Sequence, residues 1–248
     1  MSEGHIRYES GDGIALITID RPAKRNALTS AMCADLHAAW QRFAASDDVR
    51  VAILTAAGDD IFTAGADLND PPPQFWQAVP NIGVPVSKPI ITAVSGPVIG
   101  AGVVIVAMSD LCVASETARF IYPEAKVGIA LGLVSSITTR IPQKVAMELM
   151  LLGEPIDAAR AYQVGMVNRV VPAGKQLEAA KDMARVLAAN APLVVGMLKD
   201  MVIEALPRGS TESMFHTQRA INRVLQSEAV KEGLLAFREK RAPQFRGR

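Results

Sequence analysis

Three glycine- or proline-marked segments hold the residue types best suited to chemistry: RPAKRNAL at residues 21–28, IFTAGADL at 61–68 and KPIITAVSGPVIGAG at 88–102. Each reads as the end of a strand opening into a turn or helix. Backbone N–H groups are left unpaired at such junctions and can face an anion or a developing oxyanion. The small residues Ala64, Gly65, Ala66, Gly100, Ala101 and Gly102 let a ligand approach the main chain closely. Taken singly, each is as easily a tight turn or a close helix contact.

Other chemistries find little support. The glycines of GPVIGAG do not follow the order G-x-G-x-x-G, and no acidic residue clearly ends a second strand of a βαβ unit, which argues against a dinucleotide site. GADL is not a phosphate loop, because no Gly-Lys-Ser/Thr follows it. His5, His37 and His216 are scattered, without metal-ligand spacing, and there is no G-x-S-x-G elbow. Cys33 and Cys112 sit in apolar stretches and read as buried small hydrophobes in a reducing compartment.

The elements that must carry these segments can be read from periodicity. Alternating residues 5–9 and 14–19 around Gly11-Asp12-Gly13 predict a β-hairpin. Thr29 or Ser30 caps a helix to about Ala45, with Met32, Leu36, Ala39, Trp40 and Phe43 on one face. Strands are predicted at 51–55, 90–94, 111–114 and 118–121, and a buried helix at 100–108. Asp70-Pro71-Pro72-Pro73 is an exposed loop that no regular element can cross; Phe75 and Trp76 follow it. From Val134 the pattern turns helical, over 137–141, 144–152, 176–189, 193–205 and 214–240 with a break. Pro207-Arg208-Gly209 is a turn rather than a domain linker. Recurring strand-strand-helix units in the first half hint at a spiral.

A chain of 248 residues, half of them hydrophobic and 21% charged, is ordinary globular material with a sizeable core. Basic and acidic residues number 26 and 25, a formal charge of +1, so no overall field draws it to nucleic acid or an anionic membrane. Its first ten residues lack the apolar core of a signal peptide, and the longest apolar run, 98–108, is too short to span a bilayer. A cytoplasmic location is expected.

In their order, the three segments resemble the crotonase superfamily, the enoyl-CoA hydratase/isomerase family. The resemblance continues through SDLCVASETARFIYPEAKVG at 109–128, MELMLLGEPIDAARAYQVGMVNRVV at 147–171 and EGLLAFREKRAP at 232–243. It implies an α/β fold, a ClpP/crotonase-like spiral of ββα units at 1–190 holding the CoA and acyl site. A C-terminal helical trimerisation region at 191–248 would follow, giving a homotrimer or a hexamer built as a dimer of trimers. It implies an acyl-CoA thioester as substrate, with no metal and no cofactor beyond its CoA moiety. The thioester carbonyl would be held by the amides of Ala66 and Ala101; this chain reads GAG where the family commonly has GGG. CoA would be bound by Lys24, Ala64, Asp67 and Leu68, with Phe237 and Lys240 coming from a neighbouring subunit.

By the same resemblance Glu124, in Tyr122-Pro123-Glu124, is the main acid/base group. Hydratases of the family carry a second glutamate after the glycine triplet, and the matching residue here is Val104, which cannot transfer a proton. One carboxylate suffices to move a proton between the α and γ carbons of an enoyl thioester, so isomerisation needs only what is present, while the family as a whole favours hydration or dehydration. A non-catalytic acyl-CoA-binding protein is the reading from another class; an RNA-binding role has no basic run behind it. Glu116, Tyr122 and Asp110 are the neighbouring groups that could replace the missing carboxylate, though their positions suit structural roles better. The stretch 128–136 also departs from the family's Pro-Gly-x-Gly-Gly loop, and Ser135 or Ser136 is expected to cap the helix that follows.

Overall fold

A computed structural model describes residues 4–128 and 133–245 of the chain. β1 (His5–Gly11) and β2 (Ile14–Asp20) pair antiparallel around Asp12 and Gly13, both at positive φ, as the predicted hairpin requires. α1 (Ser30–Ala45) begins at Thr29, whose side chain accepts from the Met32 N–H at 3.2 Å. Met32, Leu36, Ala39, Trp40 and Phe43 are its buried face, spaced at three and four residues as an amphipathic helix dictates.

β3 (Val51–Ala56) and β4 (Ile90–Val94) run parallel to β2, and β5 (Pro97–Ile99) leads straight into α2 (Ala101–Met108). β6 (Leu111–Ser115) and β7 (Arg119–Ile121) repeat the pattern into α3 (Glu124–Val127). After α4 (Gln143–Met147) come β8 (Ile156–Asp157), α5 (Ala158–Gln163), β9 (Arg169–Val171) and α6 (Gln176–Ala189). The main sheet has the order β1-β2-β3-β4-β6-β9, and a smaller one the order β5-β7-β8. Isolated parallel bridges Thr63↔Val98 and Leu28↔Ala66 continue the smaller sheet. Successive turns of chain therefore place a long strand in one sheet, a short stretch in the other, and then a helix.

β3 and β4 are buried along almost their whole length because both faces of the main sheet are covered. Ala52, Leu54, Ile90 and Val94 pack with α1, α2 and the smaller sheet. The alternate residues Val51, Ile53, Ile91 and Ala93 pack on Ala180 and Ala184 of α6. Both cysteines are buried, and burial pushes each thiol up to about 12.

α7 (Pro192–Ala205), α8 (Ser210–Leu225) and α9 (Glu228–Glu239) complete the chain. α7 has no fully buried side chain, and Leu193, Met197, Met201 and Val202 are more than half exposed. It is fastened to the core by Lys199, which pairs with Asp110 at 2.7 Å and donates to the Lys88 carbonyl and Asn81. α8 is fastened by Phe215, stacked on Trp76 with centroids 4.8 Å apart, and by the Arg140–Glu212 pair. No single described helix is long and apolar enough to cross a membrane.

Several sequence expectations shift. Residues 137–141 belong to a 3-10 stretch, Leu133–Thr139, and 144–152 is α4 followed by a π-helical turn, Glu148–Leu152. Ser135 and Ser136 lie inside the 3-10 stretch rather than ahead of a helix, and the buried Ser136 hydroxyl has no hydrogen-bond partner among the described residues. The break in 214–240 falls at Gln226–Ser227, and α8 starts four residues earlier, where Glu212 reaches back to the Gly209 N–H. β5, β8, α5 and β9 are too short for their periodicity to stand out. The loop at 70–73 is exposed except for Pro72, which is buried. Residues 129–132 of the expected acyl-pocket loop lie outside the described residues.

Candidate active site

The first two marked segments meet as a parallel bridge. The Leu28 N–H donates to the Gly65 carbonyl at 2.8 Å, and the Asp67 N–H donates to the Leu28 carbonyl at 2.8 Å. Because peptide groups alternate direction along an extended chain, the bridge turns the Ala66 N–H away from Leu28. The third segment lies on that side. A Cβ built on Gly65 would come within 2.7 Å of the Ile99 carbonyl oxygen and 3.3 Å of the Ala101 nitrogen, so glycine is needed there for the two backbones to close up.

Ala101 is the first residue of α2, a position whose N–H has no partner inside the helix. Among the described residues no acceptor is bonded to the Ala66 or the Ala101 N–H. The GAG triplet now has a physical reading. Gly100 sits at φ +54, and a Cβ on Gly102 would come within 2.4 Å of the Thr63 methyl, whereas Ala101 is not at positive φ and carries its Cβ in ordinary helical backbone. The middle position of the triplet tolerates a side chain because only its flanks are strained or crowded.

β5 and β7 pair Ile99 with Ile121, and the Gly100 N–H donates to the Ile121 carbonyl at 2.8 Å. That pairing sets Tyr122-Pro123-Glu124 beside the start of α2. Glu124 is the first residue of α3 and is 9% exposed. Tyr122 is 3% exposed; burial, then the hydrogen bond to Glu124 and its charge, hold the phenol well above its ordinary range. Val104 is 2% exposed in the all-apolar run Val103 to Val106 of α2.

Asp67 is committed to the scaffold. Arg21 donates to it at 2.6 Å and the Asn69 N–H at 2.9 Å, and these bonds, the arginine first, hold its carboxyl below the usual carboxylate range. The same guanidinium donates to the Ala27 carbonyl, so Arg21 staples the first segment to the second. Sequence reasoning missed Arg21, although a cation opening one segment and an acid closing the next is a signal once the two are known to touch. Asn26 works beside it, fully buried and donating to the Ala57 and Ile61 carbonyls.

The remaining expected residues are spread wider. Lys24 is exposed at the end of a 3-10 turn, Pro22–Lys24, next to Arg25, whose carbonyl accepts from the Ala64 N–H at 2.9 Å. Ala64 is half-buried and Leu68 is exposed. Phe237, 84% exposed, and Lys240 lie on and just after α9, whose packing partner is α8. Glu116 is exposed on the turn after β6. Asp110 is used structurally: it accepts from the Ile90 N–H, Asn81 and Lys199, while burial pushes its carboxyl up and the Lys199 ammonium down. Among the described residues no group of three His, Cys, Asp or Glu could hold a metal ion. A separate cavity of about 610 Å³ lies at the far end of α2 from Ala101, lined by Met108, Asp110, Leu198 and Lys199 among others.

Residues 9–248 match the family model described as enoyl-CoA hydratase/isomerase. The chain is 34% identical to (E)-benzylidenesuccinyl-CoA hydratase of Thauera aromatica, over 98% of this chain and 99% of that protein. It is 34% identical to carnitinyl-CoA dehydratase of Proteus mirabilis (strain HI4320), over 94% of each. Among solved structures it resembles carnitinyl-CoA hydratase from Mycobacterium avium, with a TM-score of 0.77, 36% identity and 98% coverage of both chains. The spiral of strand-strand-helix turns is thus the crotonase fold, and the chain belongs to the enoyl-CoA hydratase/isomerase family of enzymes.

Proposed function

We propose that this enzyme takes an acyl-CoA thioester, forms its enolate, and moves a proton with Glu124 as the single acid/base group, which equips it for double-bond migration in enoyl thioesters. The observation that carries the reading is the pairing of a buried carboxylate at Glu124 with a valine at 104, beside two amides that have no bonded acceptor among the described residues. Glu124 takes a proton from the α carbon of a 3-enoyl thioester. The electron pair of that C–H bond passes into the enolate, whose oxygen is held by the Ala66 and Ala101 N–H groups. Glu124 then returns the proton to the γ carbon as the enolate collapses to the 2-enoyl thioester. Donors of this kind are worth roughly 3 to 4 kcal/mol each in the transition state. Val104 has no group with which to activate water.

Hydration or dehydration is the second reading, favoured by relatives that are named hydratases and dehydratases. It requires Glu124 to serve both water and the α carbon. In either case Lys24, Ala64, Asp67 and Leu68 are the segment against which we place the CoA moiety, Asp67 through the loop it holds rather than through its bonded carboxylate. The exposed apolar side chains of α7 and α9 support assembly into a trimer or a dimer of trimers, through which Phe237 and Lys240 would reach a neighbouring subunit's site. We place the boundary between the spiral core and this helical region at residue 190, and the enzyme in the cytoplasm.

The deciding experiment incubates the protein with crotonyl-CoA and, separately, with trans-3-hexenoyl-CoA, following thioester conjugation and product mass, with Glu124→Gln as control. Migration without water addition, lost in the variant, is the expected result. Water addition to crotonyl-CoA, lost in the variant, would establish the hydratase reading instead. Full turnover by Glu124→Gln would remove Glu124 from the mechanism. Binding of both thioesters without conversion would leave an acyl-CoA-binding protein.

A further inference from the structure

Thr63 lies in the second marked segment, fully buried, and binds all three segments together. Its hydroxyl donates to the Asn26 carbonyl of the first segment at 2.6 Å and accepts from the Gly65 N–H of its own at 3.0 Å. Its carbonyl accepts from the Ile99 N–H of the third at 3.0 Å, in the bridge that pairs it with Val98. Its methyl fills the space beside Gly102, where a Cβ would come within 2.4 Å of it. The anchor is itself held: the buried Asn26 side chain donates to the Ala57 and Ile61 carbonyls and accepts from the Arg21 N–H.

The residue this arrangement restrains is Gly65, at φ +87. A glycine turns freely about its two backbone bonds, and the Ala66 N–H belongs to the rigid peptide plane that follows it. Leu28 holds that plane through the Gly65 carbonyl, and Thr63 holds the plane before it through the Gly65 N–H. With both planes fixed, the Ala66 N–H has one direction.

We propose that Thr63 is a positioning residue, its hydroxyl locking Gly65 so that the Ala66 N–H points at the thioester oxygen that carries the enolate charge. This rests on the reading of Ala66 and Ala101 as the amides that hold that oxygen. A threonine that merely fills the core would be replaced without loss by valine, which has nearly the same shape and no hydroxyl.

The test compares the wild type, Thr63→Val, Thr63→Ser and Glu124→Gln, using butyryl-CoA isotope-labelled at its carbonyl carbon. One readout is exchange of its α protons into deuterated water, by mass spectrometry. The other is the infrared shift of the carbonyl band on binding, which reports hydrogen bonding to that oxygen and needs no proton transfer. In Thr63→Val, kcat for exchange is expected to fall about 10- to 100-fold while KM stays within about twofold, and the band should lose part of its shift. Thr63→Ser keeps the hydroxyl and should restore both; Glu124→Gln should stop exchange and keep the shift. If Thr63→Val retains kcat within twofold and the full shift, or if Thr63→Ser loses as much as Thr63→Val, the hydroxyl has no positioning role and the two-amide reading stands. No shift in the wild type would overturn the two-amide reading and this inference with it. A shift without exchange in the wild type would overturn only the role of Glu124, and the carbonyl band then decides for Thr63. Should Thr63→Val fail to fold, Thr63→Cys, similar in size with a weak S–H donor, carries the comparison: a partial loss of the shift supports the inference and an unchanged shift overturns it.

Discussion

At its first residue α2 presents the Ala101 N–H without a bonded acceptor among the described residues, with the Gly65–Ala66 turn closed against it and Glu124 one strand away. Beyond its last residue the same helix gives way to Asp110, which takes hydrogen bonds from the Ile90 N–H, Asn81 and Lys199, while Asn81 also donates to the Met108 carbonyl. Both ends are polar; Ala101 is buried and Asp110 half-buried. One end leaves donors unpaired, which costs stability unless a ligand arrives, and the other satisfies its charge and fastens α7. The difference separates a site from a joint: unpaired groups in a buried place mark function, paired ones mark structure.

Ala101→Pro should break the active end hardest. Proline suits the first position of a helix, so α2 should survive, but the donor is lost and a ring carbon takes its place. We expect kcat to fall about 10²- to 10³-fold, with the thermal midpoint little changed, read by turnover and a melting curve together. Asp110→Ala should do the opposite at the other end. It leaves Lys199, only 7% exposed, without its partner, and removing one member of a buried pair costs roughly 3 to 5 kcal/mol. Denaturant unfolding should show that loss while the turnover of the folded enzyme stays close to wild type.

Val104→Glu sharpens the comparison by adding a second carboxylate to the active end. Burying it should cost about 2 kcal/mol, and water addition to crotonyl-CoA should appear or rise; unchanged hydration would mean that the valine is not what withholds it. The smallest effect concerns the Arg21 staple. Asp67 is held below the usual carboxylate range, so its contribution is present above that range and is lost as pH falls through its depressed value. In Arg21→Gln the loss should begin at higher pH, measured as the acid midpoint of unfolding.

The segments of the proposed site were legible because their turn and helix-start chemistry is local in sequence. Unpaired amides follow from where strands end and helices begin, so the three segments could be singled out, while Ala66, Ala101 and Glu124 were named within them by the family resemblance and stand as proposed site residues. Arg21 and Lys199 were not legible in this way. Their partners, Asp67 and Asp110, lie 46 and 89 residues away, and nothing in either stretch names the other. Short elements such as β5, β8 and β9 were missed for a related reason: two or three residues carry no periodicity, and their pairing partners decide them.

The sequence by itself determined the family, the hairpin, α1 and α2, and the presence of Glu124 after Tyr122-Pro123 with a valine at 104. Only the tertiary structure decided that Gly65 closes against Ala101, that alanine is tolerated within the GAG triplet, that Tyr122 and Glu124 are both buried, and that Asp110 is a joint. The physical reason is that residue types and turn preferences are fixed by the chain locally, whereas close approach, burial and hydrogen-bond satisfaction are properties of distant segments brought together.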